Sequence, residues 1–206
     1  MTLWAIVPVK PLRRGKSRLS GVLTEEERTF LNFSMLGNTM KALSGVKAID
    51  KILVISRDPA ALTLAREFGA RTVQEDSTSE LNLALQRATV VAQMYSAQSV
   101  LILPADLPLI TPERIQALID RACKPPMIVI TPDRRREGTN ALLMNPVGLI
   151  SYVYGASSFQ RHIDQAMRYR VRVEIYEDPA LGLDLDVPED LDLLRQMESG
   201  AVQIET

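Results

Sequence analysis

Short apolar runs rich in β-branched residues alternate along the chain with longer stretches whose apolar residues fall at helical spacing. The runs predict strands over residues 3–9, 51–56, 71–73, 99–103, 127–131, 141–144 and 171–176. Several are continuous apolar segments, the pattern of strands covered on both faces. Between them the pattern predicts helices over residues 25–43, 59–68, 81–95, 112–122, 158–169 and 188–197. The start signals are local. Thr24 precedes a run of glutamates, Pro59 opens a helix that Gly69 closes, and Thr111 leads into Pro112 and Glu113.

Strand–helix alternation of this kind predicts an α/β protein with a mostly parallel sheet and helices on both sides. Ligands in such sheets bind at the carboxyl ends of the strands, so the loops directly after each strand carry the information. No internal repeat interrupts the alternation, and the whole chain, residues 1–206, is expected to form one domain. Residues 198–206 lack the pattern and are expected to form a loose tail.

Composition narrows the chemistry. Apolar residues make up 46% of the chain and charged residues 24%, enough for a full core and a solvated surface. The net charge of -1 provides no global basic field for nucleic acid, so a bound anion must meet a local basic patch. Cys123 and His162 are the sole cysteine and histidine. A disulfide within the chain is excluded and a Cys/His zinc site nearly so, which leaves carboxylates as metal ligands and magnesium or manganese as the metal. The amino-terminal sequence lacks a signal-peptide pattern and no apolar run reaches membrane-spanning length, so a cytoplasmic protein without membrane contact is expected.

The loop after the first strand, residues 8–19, holds five basic residues: Lys10, Arg13, Arg14, Lys16 and Arg18. Cations beside exposed backbone N–H groups suit a triphosphate. The glycine spacing of a Walker A loop is absent, and a solvated basic turn would have the same composition. Asp106 stands between Pro104 and Pro108 at the end of the fourth strand, placed to aim one carboxylate into the crevice. Asp184 and Asp186 alternate with Leu183, Leu185 and Val187. If extended, they share one face, where a cation would relieve their repulsion; an edge strand with a polar face has the same pattern. Glu189 and Asp190 fall in the first turn of the last helix, where acids complement the dipole. Two further segments resemble anion loops. One runs from Thr131 through the Gly138 turn to Thr139; the other from Gly155 to Ser158 at a helix start. A turn and an ordinary helix cap are the competing explanations. His162 lies inside that helix, where a lone histidine is more often structural.

Six ordered motifs, VPVKPL with KSRL, LNLAL, LPADLPL, GTNALL, GASSFQRH and LDLDVPEDL, resemble the CofC/FbiD guanylyltransferases of the MobA-like nucleotidyltransferase superfamily. The resemblance runs from about Ile6 to Leu194. It implies a Rossmann-like three-layer α/β/α sandwich with a mostly parallel mixed sheet, as in nucleotide-diphospho-sugar transferases. It also implies transfer of GMP from GTP to a phosphorylated three-carbon acid with loss of pyrophosphate, in assembly of coenzyme F420. Phosphoenolpyruvate is the expected acceptor and 2-phospho-L-lactate its alternative. Carried over by position, Asp106, Asp184 and Asp186 would hold Mg2+, with Asp106 and Lys16 catalytic. Lys10, Lys16 and Arg18 would contact the GTP phosphates, and Asn82 would lie near the guanine. Thr139, Gly155 and Ser158 would hold the acid. Related sequences often have glycine before the Leu-Asn pair; here that place is Glu80, whose carboxylate could accept from guanine or face solvent. The product would pass to the next enzyme of the pathway, and a homodimer is compatible with the pattern without being fixed by it. The rival expectations are the same fold acting on a molybdenum-cofactor or sugar-phosphate acceptor, and a nucleotide-binding domain without catalysis.

Overall fold

Seven strands form among the described residues: β1 (Leu3–Val9), β2 (Lys51–Ser56), β3 (Arg71–Gln74), β4 (Ser99–Ile102), β5 (Met127–Pro132), β6 (Thr139–Asn145) and β7 (Arg172–Ile175). They pair into one sheet in the order β3-β2-β1-β4-β6-β5-β7. The structure is a computed structural model and describes residues 2–13, 15–75 and 80–199. β1 lies parallel between β2 and β4; β6 runs antiparallel to β4 and β5; β7 returns parallel to β5. The sheet is thus mixed and mostly parallel, as the alternation predicts.

Helices α1 (Glu25–Ser44), α2 (Pro59–Glu67), α3 (Leu81–Met94), α4 (Pro112–Asp120), α5 (Ser158–Arg168) and α6 (Pro188–Glu198) follow the predicted spans to within two residues. Alternation along the strands builds two cores. Leu3, Ala5 and Val7 of β1 pack with Leu36 and Met40 of α1, Leu62 of α2 and Leu118 of α4. Trp4 and Ile6 point the other way, with Leu85 and Ala88 of α3 and Phe159 of α5. Burial on both faces is why the strands read as unbroken apolar runs. Caps fix the helix starts: the Thr24 hydroxyl accepts from the Glu27 N–H at 3.2 Å, and the Glu27 carboxylate accepts from the Thr24 N–H at 2.8 Å. Such a cap is worth about 1 kcal/mol. None of the described helices is long and apolar enough to cross a membrane.

Two local expectations differ. β6 begins at Thr139, two residues before the predicted start, because residues 133–138 close β5 onto β6 as a hairpin. The Asp133 N–H donates to the Gly138 carbonyl at 3.1 Å, and Thr139 pairs with Pro132 beyond an irregularity in the ladder. The segment 183–187 is irregular and joins no sheet, which removes the edge-strand reading. Its alternation is real: Leu183 and Leu185 are buried, and the Leu185 N–H donates to the Asp106 carbonyl at 3.2 Å. Of the expected loose tail, residues 200–206 lie outside the described residues, and α6 extends to Glu198.

From β1 the chain turns to β2 on one side, while β4 pairs on the other. This reversal of strand order opens a crevice at the carboxyl ends of β1 and β4.

Candidate active site

The loop leaving β1 is held by contacts that sequence spacing does not reveal. The Leu12 N–H donates to Asp58 Oδ2 at 2.8 Å, and the Leu12 carbonyl accepts from Asn32 Nδ2 at 2.6 Å. Asp58 also caps α2 through the Ala60 N–H, so one carboxylate ties a helix start to the loop. Gly15 packs directly on Asn32; a Cβ there would lie 2.6 Å from Asn32 Nδ2 and would displace the side chain that holds Leu12. Next, Lys16 adopts a left-handed conformation, φ 58°, that costs a non-glycine residue about 1–2 kcal/mol.

This bend turns the Lys16 side chain inward until it is 7% exposed. Its Nζ donates to Asp106 Oδ2 at 3.0 Å and to Asp186 Oδ1 at 3.0 Å. Burial works to lower the Lys16 pKa, but the charges and hydrogen bonds of Asp106 and Asp186 outweigh it and hold the ammonium protonated. For Asp186 the order is reversed in sign: burial works to raise its pKa, and Lys16, Lys10 and Arg18 bring it below the usual carboxylate value. Arg18 reaches Asp186 at 4.0 Å with a mostly exposed side chain, and Lys10 is exposed.

Among the described residues, Asp184 is the member of the group without a cation. Burial, then the negative charges of Asp106 and Asp186, push its carboxyl up to about 6. Asn140 Nδ2 donates to Asp184 Oδ1 at 3.4 Å and to the Leu181 carbonyl at 2.9 Å. Asp190 supports the neighbouring backbone: its Oδ2 accepts from the N–H groups of Asp186 and Val187, each at 2.9 Å, and its Oδ1 from Arg134 at 2.8 Å. The structure therefore brings Lys16, Asp106, Asp184 and Asp186 together, with Lys10 and Arg18 at the rim.

Among the described residues no three His, Cys, Asp or Glu side chains converge as a ready metal cage. The Lys16 ammonium is what stands between Asp106 and Asp186. The donors themselves are hard carboxylate oxygens, and the raised pKa of Asp184 marks negative charge that a further cation would offset. On donor chemistry the residues fit magnesium or manganese.

The expected acid-binding residues gather on the other side of β6. Thr139 and Ser158 are buried, and the Ser158 hydroxyl donates to Thr139 Oγ1 at 3.2 Å. Gly155 is exposed with φ +123°, a conformation open to glycine and strained for other residues. The start of α5 offers fewer free N–H groups than expected. That of Ser158 donates to the Gly155 carbonyl at 3.1 Å and that of Phe159 to the Glu137 carbonyl at 3.2 Å. Asn82 is engaged with a peptide rather than open: it donates to the Tyr154 carbonyl at 3.1 Å and accepts from the Tyr154 N–H at 2.7 Å. Glu80 is exposed at the start of α3. Arg14 and residues 76–79 lie outside the described residues. A separate groove lined by Arg13, Phe30 and Phe33 does not include the carboxylates.

Sequence reasoning passed over Asn140, Asp58 and the grip of Asp190 on Asp186. Asn140 carried the clearest signal, a polar residue directly before the apolar run Ala141–Met144.

A mostly parallel sheet with a cation–carboxylate crevice at its strand-order reversal is the architecture of a nucleotidyltransferase. A solved nucleotidyl transferase from Methanothermobacter shares this fold at a TM-score of 0.70, with 14% identity, covering 98% of this chain and 99% of that one. The family model described as "Guanylyl transferase CofC like" matches residues 3–201, and the chain belongs to that family. The phosphoenolpyruvate guanylyltransferase of Rubrobacter xylanophilus is 43% identical over 203 residues, 98% of this chain and 97% of that protein. The 2-phospho-L-lactate guanylyltransferase of Methanocaldococcus infernus is 37% identical, over 90% of this chain and 81% of that protein.

Proposed function

We propose that this guanylyltransferase moves GMP from GTP to phosphoenolpyruvate in the cytoplasm, as a single-domain enzyme. The observation that carries the reading is the Lys16 ammonium held between Asp106 and Asp186 where the strand order reverses. It puts positive charge and hard oxygen ligands at one point, which a nucleoside triphosphate requires. A phosphate oxygen of the acid attacks the α-phosphorus of GTP; the new bond joins the two phosphates, the α–β bridge breaks, and pyrophosphate leaves. That oxygen is already anionic, so no general base is needed, and positioning with charge neutralisation carries the catalysis. Lys10, Lys16 and Arg18 balance charge on the triphosphate and on the departing pyrophosphate. Asp106, Asp184 and Asp186 would hold magnesium, which when bound neutralises phosphate charge and polarises the reacting group. Thr139, Gly155 and Ser158 hold the acid on the far side of β6.

The choice of phosphoenolpyruvate over 2-phospho-L-lactate follows the 43%-identical relative, whose name gives that activity. The test is pyrophosphate release from GTP and magnesium with each acid in turn, the product being trapped by the next enzyme of coenzyme F420 assembly. Release with phosphoenolpyruvate and GTP is expected. Turnover with a sugar phosphate in its place, or with neither acid, would overturn the assignment.

A further inference from the structure

His162 touches none of the residues assigned to GTP, yet its hydrogen bonds determine what Thr139 can offer. The Val153 N–H, which can only donate, points at His162 Nε2 at 3.1 Å. Nε2 therefore presents a lone pair, and the proton of the neutral ring sits on Nδ1. The ring is fully buried and meets Tyr154 edge-on at 5.0 Å, which suits the neutral form. Nδ1–H faces Thr139 Oγ1 at 3.1 Å, and the Ser158 backbone, a second partner on this side of the ring, also favours the proton on Nδ1. The Ser158 hydroxyl reaches the same oxygen at 3.2 Å. With both lone pairs of Thr139 Oγ1 taken, its remaining capacity is its own O–H, and among the described residues no acceptor takes it.

We infer that His162 is a positioning residue for the acceptor: through Thr139 it presents an O–H donor to an anionic oxygen of the acid. The inference rests on the acid-binding role of Thr139 proposed above. A phosphate or carboxylate oxygen accepts hydrogen bonds and cannot donate them, so a hydroxyl free to turn either way would be less useful than one held as a donor. The segment that fixes the ring is itself clamped. Asn82 holds the Tyr154 peptide by both amide groups, one residue beyond Val153 and one before Gly155. A single network thus runs from the start of α3 through residues 153–155 to His162 and Thr139.

The experiment uses two variants that separate the two ring nitrogens. In His162→Gln an amide oxygen, as many bonds from the backbone as Nε2, can still accept from Val153, but the donor at Nδ1 is lost. In His162→Asn an amide N–H, as many bonds away as Nδ1, can still donate to Thr139. Steady-state pyrophosphate release is measured with phosphoenolpyruvate and GTP varied separately, alongside thermal melts. His162→Gln should raise the KM for phosphoenolpyruvate about tenfold and leave that for GTP within about twofold, and His162→Asn should recover most of the loss. Thr139→Val should raise the same KM, and His162→Gln added to it should change little more, because both changes remove one interaction. Full additivity, an equal rise for both substrates, or an acid KM unmoved by His162→Gln while Thr139→Val raises it, overturns the inference alone. An acid KM unmoved by Thr139→Val overturns the inference together with the acid-binding reading.

Discussion

The Lys16 ammonium donates to the Asp106 carboxylate at 3.0 Å across 90 residues of chain, and the same nitrogen reaches Asp186 at 3.0 Å. A cation buried between carboxylates holds the loop after β1, the loop after β4 and the segment before α6 in one place. In Lys16→Ala the three aspartates face one another without it. Removing one partner of such a group is costly, though Asp106 and Asp186 retain 31% and 43% side-chain exposure and solvent screens part of the loss. A destabilisation of about 2 kcal/mol is expected in urea with chelator present. Added manganese should restore more stability to the variant than to the parent, because it replaces the missing charge. Turnover should fall and the GTP requirement rise. Equal manganese effects on both proteins would show that Lys16 does not share its place with a metal.

Asp106→Asn keeps the size of the side chain and removes its charge. A neutral amide is a poor ligand for a hard cation, so turnover should fall to background at every magnesium concentration while circular dichroism stays unchanged. Lys16 keeps Asp186 as a partner, which is why the fold should survive. Near-normal rates would remove Asp106 from the catalytic group.

The strands and helices were legible because their signals are local. Apolar runs such as Leu3–Val9 announce burial on both faces, and Thr24 and Thr111 cap helices with side chains three residues away. The candidate residues that the fold brings together were legible as types: carboxylates and cations in loops that follow strands. Their partners were not, because pairing across 90 or 170 residues leaves no spacing to read. Segment 183–187 shows the limit of periodicity. Its alternation looks like an edge strand, but a loop docked on the end of β4 also buries every second residue. Ser158 shows another: a helix start promises free N–H groups, and whether a nearby carbonyl already accepts them depends on the fold.

Asp190 is buried, and it holds the backbone of the residue that pairs with Lys16. Asp190→Ala leaves the N–H groups of Asp186 and Val187 and the Arg134 guanidinium without their acceptor. The loss should be about 2 kcal/mol in urea titrations. It should also lower turnover, because Asp186 is no longer held in register. Asp190→Asn keeps an acceptor oxygen and should lie between. If Asp190→Ala unfolded more easily but turned over normally, its role would be that of a helix cap alone.

His162 gives the fold a pH dependence whose direction can be worked out. Burial, then the positive charge of Arg161, lower its pKa from 6.5 to about 4, while a hydrogen bond to the Ser158 backbone works the other way. Above pH 6.5 the ring is neutral in both folded and unfolded chains, and its contribution is fully present. Between pH 6.5 and about 4 the unfolded chain binds a proton that the folded chain refuses, so stability falls as the pH falls. Below about 4 both forms are protonated and the loss from this source stops growing. One proton over that window amounts to about 3 kcal/mol. His162→Asn cannot titrate there. Urea unfolding from pH 7.5 to 4 should therefore show the parent approaching the variant by about that amount, with the change confined to the same window. The lowered carboxyls of Asp186 and Asp190 contribute acid sensitivity too, but they are present in both proteins and cancel in the difference. Arg161→Gln should narrow the window from its lower end, since one of the two causes of the low pKa is gone. Parallel curves for parent and His162→Asn would mean that the buried ring is already free to charge in the folded state, and burial and Arg161 would then not lower its pKa.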